Sequence, residues 1–394
     1  MTSDAWRELP LKRIASLESG DAITSEEIVE SGDFPVYGGN GVRGFAGKYN
    51  RQGDHVLVGR QGALCGNVIL VSGRFWASEH AVVVTPRPGT HVGWLAAVLE
   101  SMNLGQYSQS AAQPGLAVEA IANLRLPVPP SDEQARISDH LDVETARLHG
   151  LMTAEQRRSE LAVARVVTLT QTLVLGRQDN RAEVRNDPRG PLEPVPSFWT
   201  LRRNKSFMRE VVELSESGTE ELLTVSHITG VTPRAEKDVT MFLATTNEGY
   251  KVVGPGDLVV NTMWAWMGAL AVSQAAGIVS PAYGVYRFVD PDVDHRYFDA
   301  LFRSPAYVAE MTRYSKGVWT SRLRLYPEAF LAIRTPFPPP REQTRIADAV
   351  DELLLERRRQ VSLFEKSIAL LQERRQALIT TAVTGEIEIP GVAA

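Results

Sequence analysis

Apolar and polar positions follow two rhythms along this 394-residue chain, and each rhythm occurs twice. Short apolar runs (Val56–Val58, Val68–Val71, Ala81–Val84) separated by glycine-rich turns predict a small sheet with exposed loops. A helix is expected over Val92–Met102, and a strand near Leu124–Val128 that stops at Pro129-Pro130. A helical rhythm then takes over. Ile137, Leu141, Leu148, Met152, Ala162, Val166, Leu169 and Leu173 recur at mostly three- and four-residue steps, with weak points at Glu144, Glu155 and Ser159. This is the seam of a long coiled-coil-like helix running from Ser131 to about Gly176. Ser131 and Gln134 have the spacing of a capping box, and Gly176 is a natural C-terminal stop. Ile346, Val350, Leu353, Val361, Phe364, Ile368, Leu371, Leu378 and Ala382 predict a second such helix over about 341–385, stopped by Gly385.

The repetition is literal. Residues 124–142 read LRLPVPPSDEQARISDHLD and residues 333–351 read IRTPFPPPREQTRIADAVD. At a constant offset of 209, Pro127/Pro336, Pro129/Pro338, Pro130/Pro339, Glu133/Glu342, Gln134/Gln343, Arg136/Arg345, Ile137/Ile346, Asp139/Asp348 and Asp142/Asp351 are identical. The register continues without a gap through Leu161/Leu370, Arg165/Arg374, Leu169/Leu378, Val174/Val383 and Gly176/Gly385. Pro340-Arg341 stands where the first copy has Ser131-Asp132, which removes one N-cap but keeps the Glu-Gln pair. Trp6 and Trp199 each open a module, and the segments ahead of the two repeats diverge. The expected organisation is a first module over 1–130, a helix over 131–177, a charged, proline-rich surface linker over 178–197, a second module over 198–340, a second helix over 341–386 and a tail over 387–394. Each helix would be about 70 Å long at 1.5 Å per residue. Neither buries its stripe alone, so the economical solution packs them on one another, antiparallel, with a module near each end. Each helix folding back on its own module, or homodimerisation through either helix, are the alternatives.

Composition adds boundaries rather than a function. Hydrophobic residues at 43% and charged residues at 23% suit an ordinary globular protein. The single cysteine, Cys65, allows no internal disulfide, so a reducing, cytoplasmic setting is expected. The opening MTSDAWRELP lacks the basic and apolar regions of a signal peptide. Leu258 to Tyr286 holds no charge and is long enough to span a bilayer. Asn261, Thr262, Ser273, Gln274, Ser280 and Pro281 interrupt it, so two buried strands joined by a turn are expected and no membrane partner. A net charge of −5 excludes coating of nucleic acid by net charge, and leaves local basic surfaces open.

No motif here supports chemistry. Gly39-Asn40-Gly41-Val42-Arg43-Gly44 matches a dinucleotide fingerprint by pattern, but a turn-like segment follows where a helix is needed. Ser280-Pro281-Ala282-Tyr283 faintly resembles the catalytic tetrapeptide of amino-methyltransferases but lacks its second proline. Seven histidines and one cysteine show no ligand spacing, so no metal site and no catalytic residue are expected; Asp292, Asp294 and His295 read as a solvated loop before a helix, His80 and His227 as core or loop residues. The strongest binding signal is Arg313, Tyr314, Lys316, Trp319, Arg322 and Arg324 in RYSKGVWTSRLRLY. Cations interleaved with aromatics suit phosphate and base-edge contacts, although a solvated loop has the same composition. The first-half counterpart, GQYSQSAAQPG, is polar instead, with Gln106, Tyr107, Gln109 and Gln113. Tyr37, Asn40, Arg43, Lys48 and Arg60 form a further candidate DNA-binding cluster.

At the doubled Pro-x-Pro-Pro…Glu-Gln…Arg-Ile segment the chain resembles the specificity subunit of type I restriction–modification systems. FPVYGGNGVRGF (34–45), LVGRQGALCGNV (57–68) and the closing QERRQALITTAVTGEI are also similar to that family. The resemblance implies an α+β fold: two α/β target-recognition domains separated by two long, antiparallel, coiled-coil-like helices with an internal twofold repeat. It implies that each module reads one half of a split site in double-stranded DNA. The helices would space the modules and dock two copies of an adenine methyltransferase subunit, with charged outer-face residues Arg157, Arg158, Glu356, Arg357 and Arg358. Restriction–translocase subunits would join that complex. S-adenosylmethionine would belong to the methyltransferase, with no cofactor in this chain. A specificity subunit of a methylation-only or other defence system, a scaffold with two protein-binding modules, and a DNA-modifying enzyme are the other readings.

Overall fold

The computed structural model describes residues 6–62, 64–108, 115–178, 183–184, 190–236, 246–319 and 322–389. Contacts divide the chain into two units, Met1–Gln156 with Glu365–Ala394, and Arg157–Phe364. The helices are α1 (Val92–Ser101), α2 (Val118–Ala122), α3 (Ser131–Val174), α4 (His295–Phe302), α5 (Pro305–Tyr314), α6 (Pro327–Ala332) and α7 (Pro340–Val383). The two long repeats are thus 44-residue helices, as their periodicity requires.

In the first unit the strand Arg7–Pro10 pairs antiparallel with Arg125–Val128, which joins the opening of the module to the strand entering α3. A four-stranded antiparallel sheet has the order Ala15–Ser19, Ala81–Pro86, His55–Gly59, Val68–Val71. Its period-two pattern is buried on both faces. Val56, Val58, Val82 and Val84 face Trp94, Leu95, Val98 and Leu99 of α1, while Leu57 and Val83 face Phe75. A second four-stranded sheet carries the hairpin Phe34–Gly38/Gly41–Ala46. Ile137 and Leu141 from the start of α3 and Ile379, Ala382 and Val383 from the end of α7 complete the α1 core.

The second unit repeats the plan. Thr200–Arg203 pairs with Arg334–Phe337, and a four-stranded sheet has the order Met208–Glu210, Tyr283–Phe288, Leu258–Asn261, Leu270–Val272. Leu258 and Val260 face Tyr297, Phe298, Leu301 and Phe302 of α4, while Val259 and Val285 face a smaller cluster. Here the end of α3 (Val174, Leu175) and the start of α7 (Ile346, Ala347, Val350) close the core. In each unit, then, the beginning of one long helix meets the end of the other.

Both long helices end alike. Arg177 N–H reaches Thr172 O (2.8 Å) and Gly176 N–H reaches Leu173 O (2.9 Å); Glu386 and Gly385 make the same two bonds to Thr381 and Ala382. These are Schellman ends, with Gly176 at φ +64° and Gly385 at φ +73°. Each glycine lies under the tryptophan that opens a module: a Cβ on Gly176 would stand 2.8 Å from the Trp199 ring, and one on Gly385 3.2 Å from the Trp6 ring. That explains why Trp6 and Trp199 recur with the repeat.

Three expectations need correction. The Ser131–Gln134 capping box does not form. Instead the Gln134 amide donates to Pro129 O (2.9 Å) and accepts from His91 N–H (2.8 Å), just ahead of α1. Gln343 does the same with Pro338 O (2.9 Å) and Asp294 N–H (2.9 Å), just ahead of α4. The duplicated glutamine is a buried strut joining a long helix to its module. Part of the 178–197 segment is not a surface linker, because the Arg177 guanidinium binds the carbonyls of Pro191, Glu193 and Pro194 and brings Leu192 and Val195 into the core. The uncharged 258–286 stretch forms four strands rather than two: Leu258–Asn261, Leu270–Val272, Gly277–Val279 and the start of Tyr283–Phe288. Among the described residues no helix is long and apolar enough to cross a membrane.

Candidate nucleic-acid interface

In both units the same pair of loops meets at the same edge of the four-stranded sheet. In the first, the loop after His55–Gly59 begins at Arg60, whose carbonyl accepts the Leu116 N–H at 2.9 Å. In the second, the loop after Leu258–Asn261 begins at Thr262, whose carbonyl accepts the Leu325 N–H at 2.9 Å. The segments just before Leu116 and Leu325 are the ones whose composition suggested binding.

Glycines let the first-unit loops approach closely. A Cβ on Gly59 would stand 2.3 Å from Gly39 O, so the Gly39-Asn40 turn lies directly on the loop that carries Arg60 and Gln61. Asn40 is exposed on this turn, and Asn67 Nδ2 is 3.5 Å from its Oδ1. Gln61 bonds His80 Nδ1 at 3.0 Å, and His80 Nε2 lies 3.2 Å from Glu79. Asn40, Arg60, Gln61, Asn67 and His80 therefore share one edge. Arg60 itself turns inward, donating to Ser19 Oγ at 2.9 Å. Arg43 is exposed, with its stem over Gly38. Gln106 is exposed near this edge and donates to Met102 O at 2.8 Å; Gln109 and Gln113 lie outside the described residues.

Two candidates of this cluster serve the fold. Tyr37 packs edge-on against Phe75, 5.7 Å between ring centroids, within the small core under the sheet. Lys48 pairs with Glu27 and lies 4.8 Å from the Trp76 ring centre, and its hydrogen bond, with that of the Thr24 backbone, holds the Glu27 carboxyl below the usual range.

In the second unit Lys316 and Arg324 form a two-bond antiparallel bridge, 3.0 and 2.9 Å, at the base of a hairpin. Arg322, Arg324, Lys316 and Trp319 are exposed on it, and Arg324 stands 5.5 Å from the Tyr326 ring. Alternation along the strand turns Leu325 into the core and Arg324 to solvent. Among the described residues no carboxylate pairs with Lys316, Arg322 or Arg324. Arg202, Arg287, Arg296 and Arg303 of the same unit are each neutralised by an aspartate. Arg313 belongs with these, bound to Glu310 at 2.7 Å, and Tyr314 packs against the core.

Sequence reasoning missed Met263, Trp264 and Trp266 on the neighbouring loop. The signal is the run Met-Trp-Ala-Trp-Met after Asn261-Thr262, which the absence of charge makes look like buried strand. The tetrapeptide at Ser280 is a turn entering a strand, with Tyr283 N–H on Ser280 O at 2.9 Å and Ala282 N–H near Ser280 Oγ at 3.4 Å. Asp294 does stand just ahead of a helix, but its side chain is not freely solvated: it caps α4, accepting Arg296 N–H at 3.0 Å. Burial raises the Cys65 thiol above its usual range, which lowers its reactivity.

Residues 3–156 match the family model described as the type I restriction modification DNA specificity domain. Over 136 residues the chain is 43% identical to the type I restriction enzyme EcoprrI specificity subunit of Escherichia coli; the match covers 34% of this chain and 34% of that protein. The fold is shared with a structure described as the basis of complex assembly and conformational transition of the type I R-M system (TM-score 0.67, 16% identity, covering 98% of this chain and 100% of that one). It is also similar to the HsdS subunit from Thermoanaerobacter tengcongensis (TM-score 0.50, 16% identity, 98% of each chain). Residues 3–156 thus carry the likeness to the type I restriction modification DNA specificity domain, and the match spans about a third of the length of the curated relative.

Proposed function

We propose that this chain is the DNA-recognition subunit of a type I restriction–modification complex and reads a split, asymmetric site in double-stranded DNA. One observation carries the proposal: a repeated frame presents the same pair of loops twice with different chemistry. The first edge offers Asn40, Gln61, Asn67 and Gln106, amides suited to base edges such as adenine. The second offers Lys316, Arg322 and Arg324 without carboxylate partners among the described residues, suited to phosphates and to guanine. Two modules with different edges read two different half-sequences.

In this reading the chain carries out no chemistry. It positions two copies of an adenine methyltransferase that bring S-adenosylmethionine, and restriction–translocase subunits join them. The long helices supply the docking surface. Leu151 and Leu370 are exposed on their first-unit parts, and Leu161 and Leu363 on their second-unit parts, apolar side chains that a partner would cover.

The test is the methylated motif in DNA from cells carrying the chain with its methyltransferase. Two unlike half-sequences separated by a fixed unread gap are expected, their centres roughly one helical turn apart if both modules face one side of the duplex. A continuous or palindromic motif would refute the reading. Binding by the purified complex should also weaken steeply with salt, because neutralised phosphates release counterions. Salt-independent binding, or binding to protein alone, would favour a scaffold instead.

A further inference from the structure

The loop between the strands Leu258–Asn261 and Leu270–Val272 exposes apolar surface in a way that folding alone does not explain. Trp264 is 51% exposed and Met263 46%. On the adjoining hairpin Val318 is 93% and Trp319 69% exposed. Large apolar side chains exposed on two neighbouring loops, joined by Leu325 N–H to Thr262 O, mark a contact site.

The loop is braced rather than slack. Ala265 is fully buried and pins a single turn, closed by Trp264 N–H to Asn261 O (3.0 Å) and Gly268 N–H to Ala265 O (2.9 Å). Thr262 Oγ1 holds Ala282 O (2.9 Å), and Asn261 Oδ1 accepts Met263 N–H (3.2 Å). Trp266 donates its indole N–H to Met263 O (3.0 Å), which lays its ring along the loop. The Trp264 ring lies nearly parallel to it, 16° apart with centroids at 6.3 Å. Trp264 is thus an exposed indole propped from behind by a fixed one.

We propose that Trp264, backed by Trp266, is a wedge that enters between two stacked base pairs of the second half-site. The inference rests on the DNA-recognition reading above. Charge selects the occupant: the Leu325–Thr262 bond sets the loop beside the hairpin that carries Lys316, Arg322 and Arg324, and a polyanion suits that surround. Apolar side chains that enter a base step unstack it, and nearby cations hold the flanking phosphates of the kinked duplex. The equivalent loop of the first unit begins with Arg60 and Gln61 and carries no aromatic residue. Deformation is therefore one-sided, confined to the second half-site, and adds sequence preference at a flexible step that no polar side chain reads.

The experiment uses the full chain in complex with its methyltransferase, without S-adenosylmethionine. Duplexes carry 2-aminopurine at each position of the second half-site in turn. One step should brighten on binding, lose that signal in Trp264→Ala and regain most of it in Trp264→Phe. Affinity in Trp264→Ala should fall roughly tenfold, as for other lost base-stacking contacts. It should fall much less on a duplex already mismatched at that step. A bright position that is indifferent to Trp264 belongs to the partner and does not count as the wedge. Unchanged first-half preference shows that the variant is folded. If wild type binds its site with steep salt dependence but no second-half position depends on Trp264, the wedge is overturned and the DNA-recognition reading stands. If Trp264→Ala weakens the methyltransferase complex instead, the patch is a protein contact and the wedge is again overturned. If wild type shows no salt-dependent DNA binding, both fail together.

Discussion

Gln343 should behave as a strut whose loss loosens α4 from α7. Its amide is fully buried between two backbone groups, donating to Pro338 O and accepting from Asp294 N–H, each at 2.9 Å. Gln343→Leu keeps most of the volume and leaves both groups without partners. At about 1–3 kcal/mol for each of the two buried unsatisfied groups, the expected cost is about 2–6 kcal/mol. Gln343→Glu is the sharper test. A carboxylate still accepts from Asp294 but has no hydrogen for Pro338 O, and an unpaired buried charge costs about 3–5 kcal/mol. Protonation restores the donor, so the introduced carboxyl should have a folded pKa above its unfolded value of about 4.3. The sign follows: a group with a raised folded pKa contributes its stability below the unfolded pKa and loses it as pH rises through the folded one. The Glu variant should approach wild-type stability near pH 4 and weaken towards pH 7, by up to about 1.4 kcal/mol per pH unit. Because two units need not unfold together, segment-resolved hydrogen exchange over 293–302 is the right readout, compared between pH 4.5 and 7 after correction for intrinsic rates. Protection in the Glu variant equal to wild type at both pH values would refute the strut.

Gly176→Ala should destabilise more than Gly385→Ala. Both lose about 1–2 kcal/mol for a left-handed backbone, but at Gly176 the new Cβ would also meet Pro196 at 2.7 Å and Trp199 at 2.8 Å, against 3.2 Å at Gly385; equal losses in thermal unfolding would contradict this. Lys316→Ala should flatten the slope of log affinity against log salt by about 0.9 without changing sequence preference. Arg322→Ala or Arg324→Ala should cost about 1–3 kcal/mol and relax one position of the second half-site if that side chain reads a base. Wild-type behaviour of all three would remove the hairpin from the interface. Shortening α7 by one or two turns should change the gap in the methylated motif and leave both half-sequences intact; a changed half-sequence with an unchanged gap would refute the spacer role.

The frame was legible because its physics is periodic. Seam residues three and four apart, a left-handed glycine at each helix end and a proline stop before each helix are local signals, and all were readable from single positions. Gln134 reads as part of a capping box, and Gln343 only as its repeat. A capping box is a local pattern, whereas their true partners include His91 and Asp294, 43 and 49 residues away in sequence. Leu192 and Val195 looked like linker because their neighbours are charged or proline, and only the Arg177 guanidinium gathering three carbonyls explains their burial. Among the site candidates, composition located the second-unit hairpin but did not separate its free cations from Arg313, whose carboxylate partner lies three residues earlier on α5. It also picked Tyr37 and Lys48, whose aromatic and acidic partners come from distant strands and turns. It passed over Trp264, because a tryptophan in an uncharged run looks buried until the fold shows that Ala265 takes the inward position.

The division between repeated and divergent residues follows from where backbone groups find their partners. Repeated residues satisfy groups that no strand ladder or helix turn would satisfy. Gln134 and Gln343 serve a proline carbonyl and an N–H ahead of a helix, and Gly176 and Gly385 let the last carbonyls of α3 and α7 close on themselves. Changing any of them strands a polar group, so the two copies have little freedom to differ there. The loops after Gly59 and Asn261 are held by main-chain bonds, Leu116 N–H to Arg60 O and Leu325 N–H to Thr262 O, which do not depend on the side chains they carry. Arg60 and Gln61 in one copy, and Met263 and Trp264 in the other, can therefore differ completely without disturbing the fold beneath them. In the proposed recognition role that separation has a use, because a new sequence preference then requires new loop side chains and no new frame.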